Sequence, residues 1–327
     1  MAAAAGSGCR EDTLRRRGGA AMVGTGSAAA AAMAGTGSAA AAAARGLACP
    51  GVGARMGGWR RLLGPKETLK MLEGSVVHRE GALLALNKPP GLPVLGRPGD
   101  LSLDALLPAL RRCLGLAAEL HVVKAPASCY HTTKKLQQFF TNARWKGQYP
   151  ATYRAITVGV PEEMEGEICT GLRWQQQEDR AVVVAMPAPG RRSLARKDVK
   201  NTLTRYRVLS AVGGCALLQL QPRTAFPEQL QVHLTLLLCP ALGDHKHSSQ
   251  VGKVLGVPFF LSPETAPSRT QVLDEELLSR LGLSPQQLQH LPLHIHLQEL
   301  VLPQGPLCAP PPPYFLHTLR CLGLPEH

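Results

Sequence analysis

Aromatic residues are scarce in this 327-residue chain: six Phe, five Tyr and three Trp make up 4% of it. A folded core here must therefore rest on aliphatic side chains. Nowhere does the sequence approach the roughly 18 consecutive strongly apolar residues of a membrane-spanning helix, which excludes such a helix. It also lacks any Cys-x-x-Cys pair. The nine cysteines, at 9, 49, 113, 129, 169, 215, 239, 308 and 321, are odd in number and widely spread. That pattern indicates neither a disulfide framework nor a zinc ribbon; the compartment is reducing, or the thiols are buried. Acidic residues are short as well, 23 against 36 Lys and Arg, giving a net charge of +13 and a pI near 9.6. Such a balance favours a polyanionic partner: RNA, DNA or an anionic membrane surface. The length allows two domains, or one of about 230–260 residues with a disordered extension.

The shortage of acid is sharpest at the start. Residues 1–61 hold eight arginines, no lysine, and only Glu11 and Asp12, so a net +6 sits in under a fifth of the chain. An eleven-residue unit repeats there: Met22-Val23-Gly24-Thr25-Gly26-Ser27, then Met33-Ala34-Gly35-Thr36-Gly37-Ser38, each running into alanines. Gly, Ala and Ser bring no bulky side chains to bury, so residues 1–61 are expected to lie outside the fold. An arginine-rich, acid-poor, Ser/Ala-rich start has the composition of a mitochondrial transit peptide, which would deliver the chain to the matrix. The other readings are a low-complexity tail, or a start codon placed too far upstream, with Met56 as a later one.

From about residue 70 the composition changes to apolar runs, turn signals and amphipathic stretches. Ala82–Leu86 reads as a buried strand, ended by a rigid turn over Asn87-Lys88-Pro89-Pro90-Gly91. Ser102 is placed to cap a helix with Leu103, Leu106, Leu107, Leu110 and Leu114 on one face, interrupted and kinked at Pro108. A second helix is expected from Thr133 to Trp145, with Leu136, Phe139 and Phe140 inward and Lys134, Lys135, Arg144 and Lys146 outward. Tyr153–Val158, Leu203–Leu209 and Cys215–Leu220 are strand-like. Pro227 and Glu228 suit the first turn of a helix, with Leu230, Leu234 and Leu237 behind them. Ser284 to Gln287 is a capping-box start. Strands and helices alternate without a regular βαβ rhythm, so the class is α+β. Pro310 to Pro313 is expected to end the domain, leaving 70–302 as the folded part and 303–327 as a Pro-rich tail.

Four segments carry a resemblance. Val77–Val94, a strand running into Asn87-Lys88-Pro89-Pro90-Gly91-Leu92, resembles the opening motif of the RluA/RsuA-like RNA pseudouridine synthases. Ala151–Pro161, with Glu165 and Gly166 behind it, resembles that family's Lys-x-Tyr-x-Ala-x-Val-x-Gly strand. Gln221–His233, leading to Gly243 and Asp244, resembles Thr-Gly-Arg-x-His-Gln-Ile-Arg-x-His followed by Gly-Asp. Leu293–Leu300 sits where the family ends on a Leu-His-containing strand. Together they span residues 75–302. The resemblance implies a long mixed, mostly antiparallel sheet with flanking helices and RNA in a basic cleft. It implies isomerisation of uridine to pseudouridine, with an Asp assisting glycosidic cleavage and no cofactor or metal. The partner would be mitochondrial rRNA or mRNA, not DNA, with RNA-granule or ribosome-assembly proteins beside it.

The family's active-site motif is His-Arg-Leu-Asp-x-x-Thr-Ser-Gly, followed by an apolar strand. Here the corresponding place is Leu120–Ser128, where Lys124 can stand for the arginine but Pro126 or Ala125 takes the Asp position. Proline offers no carboxylate, and the apolar strand is missing. Further on, Phe226 replaces an arginine, Glu228 a histidine and Gln231 a second arginine, while Gln229 and His233 keep their identity. Tyr153 stands where the family sets a ring against the uracil, and is the remaining catalytic-site candidate; the alternative is a sheet tyrosine. Lys88 and Lys124 are candidate RNA contacts, with Gln229 and His233. So is the stretch Arg191, Arg192, Arg196, Lys197, Lys200, Arg205 and Arg207, which meets only Asp198 for a net +6; an RNA-backbone surface and a solvated face both fit it. His294 and His296, like His245 and His247, lack a third ligand nearby and read as polar sheet positions. Three functions follow: an impaired pseudouridine synthase, a non-catalytic RNA-binding or assembly factor, or a defective splice product.

Overall fold

The computed structural model describes residues 29–34, 64–80, 83–89, 92–94, 99–117, 119–122, 130–177, 180–186, 199–262, 265–266 and 270–326. Its centre is a seven-stranded, wholly antiparallel sheet: β5 (Ala151–Val158), β6 (Glu165–Gln177), β7 (Arg180–Met186), β8 (Lys200–Val212), β9 (Cys215–Pro222), β12 (Ile295–Leu302) and β13 (Gly305–Cys308). The spatial order is β13-β12-β5-β9-β8-β6-β7. Period-two alternation builds it: along β8, Thr202, Thr204, Tyr206 and Val208 are buried while Arg205 and Arg207 are exposed. The class is α+β, as the interspersed pattern implies.

Both faces of this sheet are used. One carries Tyr153, Ala155, Tyr206, Leu218 and Leu220, and packs against Phe140 of α3 (Tyr130–Trp145) and Leu234 of α4 (Gln229–Leu236). The opposite face presents Ile156 and Leu217 to α5 (Glu275–Leu281), the short α6 (Pro285–Leu288) and α7 (Pro313–Leu322). That cover stops partway. Beyond it, on the same face, Arg154 pairs in register with Gln219, Arg207 with Gln219, and Arg205 with Gln221.

A smaller four-stranded sheet has the order β2-β3-β1-β4, from β1 (Ala29–Ala34), β2 (Val76–Glu80), β3 (Leu83–Asn87) and β4 (Leu120–Val122). Leu84, Leu86 and Leu120 pack there with Leu72 of α1 (Pro65–Gly74) and with Leu103, Leu107 and Leu110 of α2 (Leu103–Cys113). Ser102 caps α2 by accepting from the Ala105 amide at 3.3 Å. The helix is not interrupted at Pro108: it continues to Cys113. Asp104, whose carbonyl loses its usual donor at Pro108, is exposed, so water can replace the bond. The remaining hairpin is β10 (Val251–Val254) with β11 (Val257–Phe260).

The structure departs from the sequence reading at four further points. Ala29–Ala34, within the segment expected to lie outside the fold, forms β1 and pairs antiparallel with both β3 and β4. Alanine has almost no side-chain entropy to lose, which lowers the cost of this ordering. At the other end the domain does not stop at 302: β13 pairs with β12, and Tyr314, Phe315, Leu319, Leu322 and Leu324 are buried. Pro312 and Pro313 start α7 instead of ending the fold, since a first-turn proline has no amide partner to lose. Helix α3 begins at Tyr130, three residues ahead of Thr133. Helix α4 begins at Gln229, after Glu228 in a left-handed conformation at φ 57°.

Candidate nucleic-acid interface

Tyr153 lies mid-sheet on β5, between Leu220 of β9 and Leu297 of β12. It is buried, and loss of hydration pushes its phenol up to about 12, partly offset by the charge of Arg144. Arg144 is the one charged neighbour that acts on it among the described residues. The guanidinium is itself partly buried, its charge disfavoured by desolvation, and its Nε has no hydrogen-bond partner. Tyrosine and cation thus stand together, without a carboxylate coupled to the phenol.

Three candidate RNA contacts are withdrawn by the structure. Lys88 is 4% exposed; its Nζ donates to the carbonyls of Pro89 at 2.9 Å and Leu92 at 2.8 Å. Burial lowers its pKa to about 8. It ties the proline turn together and offers nothing to a phosphate. Gln229 is buried, donating to the Leu203 carbonyl and Thr204 Oγ1 and accepting from Thr224 Oγ1 at 3.0 Å. His233 is buried with Nε2 on Thr202 Oγ1 at 2.9 Å, and desolvation lowers its pKa to about 3. Both pin α4 to β8. Four residues apart on the helix, they share the face turned toward the threonine side chains of β8.

Asp244 acts as a turn support: Oδ1 accepts from the Lys246 and His247 amides at 3.0 and 3.1 Å. Glu228, in the place of a family histidine, accepts from Lys246 and His247, and these hydrogen bonds hold its carboxyl below the usual range despite burial. His294 bonds Thr318 Oγ1 at 2.8 Å, and His296 bonds the Ala309 carbonyl at 2.9 Å. His245 Nε2 donates to the Leu291 carbonyl. These imidazoles hold the core together, and no group of three metal-ligating side chains occurs among the described residues.

Of the basic stretch, Lys200, Arg205 and Arg207 are exposed on β8; Lys124, Arg191, Arg192, Arg196 and Lys197 lie outside the described residues. Arg205 and Arg207, with Tyr206, Gln219 and Gln221, line a hollow of about 110 Å³ on the uncovered part of the outer face. Arg205 lies 3.7 Å from Glu165. Arg154 donates to Gln219 Oε1 at 3.1 Å. Lys200 donates to the Ala225 carbonyl at 3.0 Å; although the residue is exposed, partial desolvation of its ammonium, then the charge of Arg144, lowers its pKa.

Sequence reasoning missed Arg223 and the role of Arg144. Arg144 was read as an outward helix position, and Arg223 was absorbed into a motif. Arg223 Nε donates at 3.4 Å to the Arg144 carbonyl, which also accepts from the Gly147 amide at 3.0 Å at the C-terminus of α3. The signal that could have found them is antiparallel pairing of β5 with β9, which brings the residues before Ala151 and after Pro222 to the same end of the sheet.

An antiparallel seven-stranded sheet with flanking helices is the architecture this chain shares with RNA pseudouridylate synthase domains. The chain belongs to the RNA pseudouridine synthase family. The mitochondrial mRNA pseudouridine synthase Rpusd3 of Mus musculus is 46% identical over 282 residues, 81% of this chain and 82% of that protein. Its Homo sapiens counterpart is 46% identical over 280 residues, 80% of each chain. A solved structure of human RNA pseudouridylate synthase domain containing 4 superposes with a TM-score of 0.61 at 28% identity, covering 80% of this chain and 98% of that one. No family model matches the chain.

Proposed function

We propose that this chain is a mitochondrial member of the family that binds single-stranded RNA and is impaired in uridine isomerisation. One observation carries it: between Leu120 and Ser128 there is no Asp or Glu at all. Glycosidic cleavage of uridine needs a carboxylate fixed at the reacting carbon, and a group misplaced by 1 Å can cost about a hundredfold. Glu119, the nearest acid, is exposed at the start of β4. Support for the organelle comes from relatives named mitochondrial and from the acid-poor arginines of residues 1–61, with the matrix as destination. The relatives' names make mRNA the preferred RNA class; a non-catalytic role in ribosome or RNA assembly is the form the function would take.

The full chain, incubated with mitochondrial RNA, should bind it yet leave no pseudouridine above background in pseudouridine-specific chemical mapping. Site-specific pseudouridine that vanishes in Glu119→Gln would overturn the impairment and make Glu119 the acid. A reporter carrying residues 1–61 should enter mitochondria; a diffuse cytosolic signal would remove the localisation.

A further inference from the structure

In a chain so short of aromatics, a tryptophan left in solvent is conspicuous. Trp145 is 83% exposed at the C-terminal end of α3. Cations surround it. Arg144 and Lys146 flank it in sequence, and Arg223 reaches back to the Arg144 carbonyl. Past Arg223 the loop continues to Ala225, whose carbonyl receives Lys200 Nζ. Next comes Phe226, whose ring lies 6.4 Å from that of Trp174, itself 45% exposed. A connected series of contacts therefore runs from Trp145 through Arg144, Arg223 and Lys200 to Trp174.

Arg144, Lys200 and Arg223 take part in no ion pair among the described residues. Of the nearby carboxylates, Glu165 faces Arg205, and Glu167 accepts from the Tyr149 hydroxyl at 3.2 Å, on which the charge of Arg223 also acts. Arg144 Nε is buried and without a hydrogen-bond partner, and the charge of Arg144 acts unfavourably on Lys200. Like charges held together beside an unfilled donor want an anion. Solvent-facing indole rings at the two ends want flat apolar faces. Single-stranded nucleic acid supplies both at regular spacing, with phosphates for the cations and unstacked bases for the rings.

We propose that the C-terminal end of α3 and the loop from Arg223 to Pro227 form a binding strip for single-stranded RNA. Trp145 stacks on one base, Arg144, Arg223 and Lys200 meet backbone phosphates, and Trp174 marks the far end. The strip deepens the RNA-binding reading above and rests on it. A protein partner is the competing occupant of an exposed tryptophan.

The test uses the full chain with a fluorescein-labelled 12-nucleotide oligouridylate, affinity being read by anisotropy, and a Trp59→Phe, Trp174→Phe chain gives Trp145 fluorescence as a second readout. Saturating RNA should quench it. Trp145→Ala should weaken binding about five- to a hundredfold with the salt slope unchanged, as expected for lost stacking. Trp145→Phe should recover most of the affinity. Arg223→Gln should instead reduce the salt slope by about 0.7, one phosphate contact on a single strand. Because Trp145 is exposed, its variants should keep the wild-type melting temperature. Oligouridylate affinity unchanged in Trp145→Ala, or no quenching at saturation, would overturn the strip and favour a protein occupant, while RNA binding itself survives. Pseudouridine formed by the wild-type chain would defeat the impairment and leave the strip standing. A chain that binds no RNA would end both.

Discussion

Two buried histidines should make this protein sensitive to acid. His233 and His294 have pKa values lowered to about 3 and about 4, each by desolvation. Both lie below the ordinary value of about 6.5, so below that pH the unfolded chain binds protons that the folded one refuses. Their contribution is fully present above pH 6.5 and declines as pH falls, at about 1.4 kcal/mol per unit for each ring. At pH 5 the two together should have removed about 4 kcal/mol. Melting temperature measured from pH 7.5 to 5 should drop steeply below 6.5, and His233→Gln should roughly halve the slope. A flat profile would show that the rings accept protons in place. Lys88 gives a contrasting test of structure against contact. Lys88→Met strips the Pro89 and Leu92 carbonyls of their donor and should cost about 1–3 kcal/mol. Affinity for RNA and its salt dependence should not move; a shallower salt slope would return Lys88 to the interface.

At the scale of elements, α7 is the piece whose importance the sequence hides. Phe315 is 1% exposed among Ile156, Leu217 and Leu242. Phe315→Ala should therefore cost about 3–5 kcal/mol, a large part of the 5–15 kcal/mol a domain keeps. A denaturant midpoint equal to wild type would mean that α7 is dispensable. Four prolines in a row read as an exit from the fold, yet the last of them starts a helix, and only the position of the sheet face shows that it returns. Where local pattern and tertiary contact agree, the elements were legible. Ser102 with its leucine stripe gives α2, Ser284 to Gln287 gives the start of α6, and Cys215–Leu220 sits inside β9. The remaining misses have physical causes. Ala29–Ala34 has no side-chain pattern to read, because its pairing is made by backbone. The helix expected at Pro227 starts later, because Glu228 is held in a left-handed turn by Lys246 and His247. The site was legible as a family motif but not as a surface: Gln229 and His233 keep family identity while facing the core, and Arg144 and Trp145 carry no motif.

For the whole molecule, charge should govern the strength of RNA binding more than any single contact. With about five phosphates met, log affinity should fall against log salt with a slope of roughly −3.5 on single strands. Replacing Arg191, Arg192, Arg196 and Lys197 by Gln should flatten that slope by about 2 to 3 units, as counted from 0.7 per contact. An unchanged slope would make the stretch a solvated face.

The position of α7 also fixes when this molecule can exist. The outer core has Ile156 and Leu217 on its sheet side and Phe315, Leu319, Leu322 and Leu324 on its helix side. Between those two sets lie 97 residues, from 218 to 314. A polypeptide that emerges residue by residue, from a ribosome or through a pore, therefore presents an uncovered apolar sheet face from the emergence of Leu217 until that of Phe315. Closure waits for the last few residues. Until they arrive the chain must be shielded by something else, and its synthesis or import becomes the interval in which it is most exposed to aggregation and proteolysis.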